Sequence, residues 1–246
     1  MKNSLNPNNS GNLDYFLWKM DKDGEEEWNL SFGGEEDDIL KSITPTDDMG
    51  YILGGYSKSN KNDSKSSMNK GFNDIWIVKI DIKGQVLWEK SFGGKGDDLL
   101  VEIKQTKDKG YIIIGTSNTK PSEDKSSEYF GGIDFWIIKT DSNGKLEWEK
   151  SYGGIYNDIP KTINILEDGF IIGGISNSPH SGNKLKDHYG GYDIWILELD
   201  NKGNKIKEYV FGSENDDNVG FPFLVQVKSI QYSITFTVEG LSDAKA

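Results

Sequence analysis

Apolar positions recur along this chain in a long, regular pattern. Four near-continuous apolar runs, DYFLWKMD, DIWIVKID, DFWIIKTD and DIWILELD, open at Asp14, Asp74, Asp134 and Asp193, spaced by sixty, sixty and fifty-nine residues. Self-similarity at a fixed period decides architecture before any local rule does. In the second repeat, residues 74–81 are rich in β-branched and aromatic residues, which suits a strand covered on both faces. Gly84 marks a turn and recurs as Gly24, Gly144 and Gly203. Residues 85–92, QVLWEKSF, are more polar and predict a peripheral strand, ended by Gly93-Gly94. After Asp97-Asp98, LLVEIKQT alternates and predicts a third strand. Asp108-Lys109-Gly110 is a tight turn, and residues 111–115, YIIIG, predict a short buried strand.

Four strands per repeat with no helical period predict an all-β chain, a β-propeller of four four-stranded units. A parallel β-helix is the competitor, but its coils are usually shorter. The expected strand order is LLVEIKQT, YIIIG, DIWIVKID, QVLWEKSF. The chain would then begin with the outer two strands of a blade and end with an inner pair near Phe223 and Tyr232. Pairing of the termini in one composite blade would close the ring and remove exposed sheet edges. The expected boundaries are a flexible segment 1–13, a single domain 14–239 with units near 14–73, 74–133, 134–192 and 193–239, and a flexible tail 240–246.

Composition narrows the function classes. The net charge is −12 and the chain has no arginine, so nucleic acid is excluded as an expected partner. There is no cysteine, hence no disulfide, thiolate metal site or Cys nucleophile. No apolar run reaches membrane length, so membrane insertion is not expected. The 29 glycines sit at fixed repeat positions, which means turns and not a linker.

The pattern D-x-x-G-x-x-x-W occurs as Asp21-Gly24-Trp28, Asp81-Gly84-Trp88 and Asp141-Gly144-Trp148. With GYIIIG-type strands before it and GG-x-x-DD after it, this resembles a repeat of exported or surface bacterial proteins that look like β-propellers. It is also similar to the tryptophan-docking motif of quinoprotein-type propellers. The resemblance covers about residues 14–237. It implies that Trp28, Trp88 and Trp148 pack between adjacent blades, and an extracellular or cell-surface location, with a cytoplasmic one as the alternative. The fourth repeat departs from the pattern: Lys207 replaces the Trp, Gly212-Ser213 replaces Gly-Gly, and Phe221-Pro222-Phe223 looks inserted.

Long polar inserts span 57–73, 117–133 and 176–192, with aromatics near their ends. An up-down sheet places them at the same end as the GG-x-x-DD crossovers. They are either binding loops on a rigid scaffold or solvated spacers whose lysines aid solubility. The ligand-binding candidates are Phe72, Tyr129, Phe130, His188, Tyr189 and Tyr192. Asp37, Asp38, Asp97, Asp98, Asp158, Asp216 and Asp217 are either Ca²⁺ ligands or turn-fixing acceptors of backbone N–H groups; Asn157 interrupts the set. No cofactor is required by the sequence, with Ca²⁺ as the one candidate. No G-x-S-x-G, P-loop or H-E-x-x-H occurs, and His180 and His188 are expected to be exposed loop residues. The leading expectation is a monomeric, non-catalytic module that binds a glycan or a protein. A carbohydrate-active hydrolase using aspartates of the same face and a scaffold without ligand are the alternatives.

Overall fold

In the computed structural model, residues 13–61, 65–122, 124–218, 224–228 and 231–235 are described. They form sixteen strands and no helix. The first repeat holds β1 (Tyr15–Met20), β2 (Glu26–Phe32), β3 (Asp38–Pro45) and β4 (Tyr51–Ser57). The second holds β5 (Asp74–Ile80), β6 (Val86–Phe92), β7 (Asp98–Gln105) and β8 (Tyr111–Ser117). The third holds β9 (Asp134–Thr140), β10 (Leu146–Tyr152), β11 (Asp158–Ile165) and β12 (Gly169–Ser176). The fourth holds β13 (Asp193–Asp200), β14 (Lys205–Phe211), β15 (Leu224–Lys228) and β16 (Gln231–Thr235).

The sheets do not coincide with the repeats. Their orders are β3-β4-β5-β6, β7-β8-β9-β10 and β11-β12-β13-β14, each joining the end of one repeat to the start of the next. This is the strand order expected from the sequence. β1-β2 and β15-β16 stand as two-stranded sheets, so the composite terminal blade is not formed as one sheet among the described residues. Most of the two expected flexible ends, and Phe221-Pro222-Phe223, lie outside those residues.

The degree of burial explains the order. β5 and β9 are buried at every position and sit inside their sheets, while the edge strands β6 and β10 begin exposed and are buried only towards their ends. The described chain forms two compact units. One runs to Ile113 and takes Thr119–Ser126 and Lys139–Glu147; the other holds Ile114–Asn118, Ser127–Ile138 and everything from Trp148 onward.

Within the first unit, Trp76, Val78 and Ile80 of β5 pack on Tyr15, Leu17 and Phe32 of β1-β2, with Trp28 and Leu30 beside them. The Tyr15 hydroxyl donates to the Trp76 carbonyl at 2.9 Å. Trp28 Nε1 donates to the Ile82 carbonyl at 3.2 Å, in the turn that holds Gly84. Trp88 lies against Gly144 in the same way, and a Cβ there would come within 2.7 Å of its ring. The second unit repeats the joint: Trp148 Nε1 donates to the Asn201 carbonyl at 3.2 Å and its ring lies on Gly203. Each of these turn glycines has a positive φ, 81° at Gly84 and 74° at Gly144 and Gly203. Glycine is therefore needed for the backbone conformation and, at Gly144 and Gly203, for the tryptophan above it; at Gly84 the side chain that a Cβ would strike is Leu30. Within each unit, Trp28, Trp88 and Trp148 thus each lie on the turn of the following repeat.

Candidate functional site

The end of each sheet that carries an insert is built on buried carboxylates. Asp74, Asp134 and Asp193 open their strands fully buried. Their Oδ2 atoms accept the N–H groups of Lys70, Phe130 and Tyr189, the first two at 2.7 and 2.8 Å, which closes the end of each insert. The other carboxylate oxygen presses on the first glycine of the next crossover. A Cβ on Gly93, Gly153 or Gly212 would overlap Asp74, Asp134 or Asp193. The two sequence motifs, D-x-W and the Gly step, are thus one structural unit.

The second aspartate of each acidic pair fixes the crossover itself. Asp38, Asp98, Asp158 and Asp217 are buried. Their Oδ2 atoms accept the N–H of Gly34 at 2.7 Å, Gly94 at 2.9 Å, Gly154 at 2.8 Å and Ser213 at 2.7 Å. The insert adds a hydroxyl from Ser59, Thr119 or Ser178 at 2.7, 2.8 and 2.9 Å to the first three. The first members are more open. Asp97 accepts from Asn73 at 2.6 Å and Asp216 from the Tyr192 N–H at 2.8 Å, while Lys58 stands 4.0 Å from Asp37. Asn157 donates its amide to the Tyr192 hydroxyl at 3.1 Å. Among the described residues, no group of three or more acidic or histidine side chains is placed to hold a metal ion.

Lysine supplies the countercharge. Lys65, Lys125 and Lys184, one per insert, are fully buried. Lys65 Nζ donates to the carbonyls of Ser59 at 2.8 Å and Ser67 at 3.3 Å and sits 5.9 Å from the Trp76 ring centre. Lys184 donates to the carbonyls of Ser178 and Lys186 at 2.8 and 2.6 Å and sits 6.0 Å from the Trp195 ring centre. Burial pushes both amines down, against the pull of Glu89, Asp38 and Asp74 at Lys65 and of Asp158, Glu208 and Asp193 at Lys184. Burial also pushes Asp74 up to about 6, with the Asp98 charge adding to the rise.

The edge strands complete the anchor. Glu89 accepts the N–H groups of Ser66 and Ser67 at 2.9 Å each. Glu149 accepts Ser127 N–H at 2.8 Å and Trp136 Nε1 at 2.7 Å, and Glu208 accepts Leu185 N–H at 2.7 Å. The inserts are therefore anchored to the sheet at their centres, and Lys65, Lys125 and Lys184 are not surface residues. The sequence carried the signal, because these lysines keep the sixty and fifty-nine spacing of the D-x-W strands.

The six aromatic and histidine candidates fall in different places. Phe72 is 67% exposed. Tyr129 and Phe130 are half-buried, and Phe130 lies on Gly182. Tyr192 packs beside an isoleucine cluster of the sheet that ends in β14. His188 and Tyr189 come together, with Lys186 and Asp187, opposite Glu208, Tyr209, Val210 and Phe211 of β14. These residues line an open cleft of about 340 Å³. Tyr209 and Phe211 stack with ring centres 6.3 Å apart and planes 9° from parallel. Sequence reasoning missed both. The available signal was that Tyr209 and Val210 replace the Lys90-Ser91 and Lys150-Ser151 of the other repeats.

No family model matches this chain. Over 193 residues it is 23% identical to "Regulatory protein FlaEY" of Caulobacter vibrioides, a match that covers 74% of this chain and 20% of that protein. The chain thus matches about a fifth of the length of that curated relative. A solved structure of a protein of unknown function from Bacteroides caccae is similar at a TM-score of 0.42 and 12% identity, over 77% of this chain and 52% of that one.

Proposed function

We propose that this chain is a non-catalytic binding module of propeller-type blades, and that its ligand is a glycan held in the cleft between residues 186–189 and β14. The observation that carries this reading is the stacked Tyr209 and Phe211 facing His188 and Tyr189 across about 340 Å³. A sugar ring offers an apolar face for aromatic stacking and hydroxyls for polar partners, and the cleft sets Lys186, Asp187 and Glu208 beside its rings. The volume falls at the small end of ligand sites. The insert side of the cleft is tied to the sheet, since Leu185 N–H is bonded to Glu208 and Tyr189 N–H to Asp193.

The test is a glycan-array screen of the wild-type chain and of Tyr209→Ala, each with Ca²⁺ and with EDTA. Glycans held by the wild type and released by Tyr209→Ala, at matched melting temperatures, support the cleft. Hits that survive Tyr209→Ala place the site elsewhere, and an array without hits removes the glycan reading in favour of a protein ligand. Hits abolished by EDTA would make Ca²⁺ part of the site. Turnover of a bound glycan, lost in Asp187→Asn, would favour the hydrolase.

A further inference from the structure

The first repeat holds one half of a joint whose other half is not found among the described residues of its unit. In β5, Trp76, Val78 and Ile80 are buried against the preceding sheet. One repeat earlier the same positions are Phe16, Trp18 and Met20, which are 46, 56 and 47% exposed. The alternate positions, Tyr15 and Leu17, are buried against β5. The outward face of β1 thus has the composition of a packed face and the exposure of a free one. Apolar side chains gathered in this way mark an interaction surface.

The turn below that face agrees. Asp21 Oδ1 accepts the N–H groups of Asp23 and Glu25 at 2.8 and 3.0 Å, as Asp81 does from Lys83 and Gln85 at 2.8 Å each. Gly24 has a φ of 85°, matching Gly84 at 81° and Gly144 and Gly203 at 74°. At those three turns a tryptophan of the preceding repeat lies on the glycine. At Gly24 an added Cβ would meet nothing within 4 Å.

The seven tryptophans of the chain leave no donor for that seat. Trp28, Trp88 and Trp148 already lie on Gly84, Gly144 and Gly203. Trp76, Trp136 and Trp195 are buried in β5, β9 and β13, and Trp18 belongs to the free face itself. The fourth repeat has Lys207 at the donor position. A second copy of this chain would have the same tryptophans engaged in the same way.

We propose that the outer face of β1-β2 is the recipient half of a repeat-to-repeat joint, and that its occupant is a further repeat of the D-x-x-G-x-x-x-W type, brought by polypeptide beyond this sequence. The occupant's tryptophan seats on Gly24 and donates to the Lys22 carbonyl, as Trp28 does to that of Ile82. Its inward-facing apolar strand covers Phe16, Trp18 and Met20. The proposal is independent of the cleft, because it concerns the opposite end of the chain.

Two experiments test it. In the first, Trp18→Lys is made in the unmodified chain, and melting and sedimentation are followed. The expected result is a monomer whose Tm is unchanged, because nothing covers the face. A drop of about 5 °C or more would show that the chain covers this face with its own residues, β15-β16 for example, and would overturn the proposal. Dimers of the unmodified chain that dissociate on Trp18→Lys would overturn it in favour of a second copy. In the second, a copy of residues 74–133 is joined ahead of residue 14 of the full chain. The expected result is a rise in Tm with loss of acrylamide quenching at Trp18. Both changes should disappear when the added copy's equivalent of Trp88 is replaced by Ala, and again with Gly24→Leu. An added repeat that melts separately and leaves Trp18 quenchable would refute the joint.

Discussion

The two ends of each sheet are held by different chemistry. At the insert end, Lys65 is buried between Asp38, Asp74 and Glu89, and nearly every bond is directional and charged. At the turn end, an indole lies on a glycine and makes one hydrogen bond to a carbonyl. Loss of one member of a charged network leaves the others buried and uncompensated. An apolar joint weakens instead in proportion to the contact removed. The insert end is therefore brittle and stiff, which suits a surface that must hold loops in place. The turn end is graded, which suits a contact repeated between successive sheets.

The largest expected effect lies at the insert end. Lys65→Met keeps the stem and deletes the charge, and should cost about 3–5 kcal/mol in urea unfolding. A loss below about 1 kcal/mol would mean that the surrounding acids are neutral and that the two ends do not differ in kind.

Next comes the joint. Trp148→Ala should cost about 2–3 kcal/mol, below the value for a fully buried tryptophan because its side chain is half-exposed. Smaller again is the contrast between two equivalent glycines. Gly144→Ala drives a methyl into Trp88 and strains a positive φ, whereas Gly24→Ala only strains the φ. The first should exceed the second by about 1 kcal/mol or more. Equal costs would show that the tryptophan contact contributes nothing to the need for glycine.

The smallest effects separate the ends by pH. Asp74 is raised from 3.8 to about 6, so its ionised form is disfavoured by folding. Stability linked to it is present at low pH and is lost as pH rises through about 6. Taking the chain from pH 8 to pH 5 should gain about 1 kcal/mol, and Asp74→Asn should abolish that gain. At the turn end the sign reverses. Burial opposes the charge on Asp48, but hydrogen bonds from Thr46, Lys79 and Gly50 outweigh it and hold the carboxyl at about 2. Its contribution is present above 3.8 and lost as pH falls through about 2. It should vanish in Asp48→Asn, with a small amplitude because the side chain is half-exposed.

Much of the fold was legible because periodicity reports burial directly. The apolar run at residues 74–81 could only be an inner strand, and the polar one at 85–92 only an edge. The glycine of D-x-x-G-x-x-x-W was legible as a turn but not as a seat, since its partner is a tryptophan more than fifty residues earlier in the chain. The site was legible in part. His188 and Tyr189 were visible as candidates, whereas Tyr209 and Phe211 looked like ordinary edge-strand residues until β14 was set opposite the insert.

The sequence by itself determined the repeat, the strands, their order within a sheet and the places where glycine is obligatory. These follow from local propensity and from a pattern copied four times, which a single chain displays without folding. Tertiary structure alone decided that the insert lysines are buried, that the second aspartate of each pair holds its own crossover, and that one face of β1 is left open. Lysine and aspartate look the same in sequence whether they face water or each other. Only packing tells the cases apart, because a buried charge is tolerable solely where its opposite has been brought to meet it.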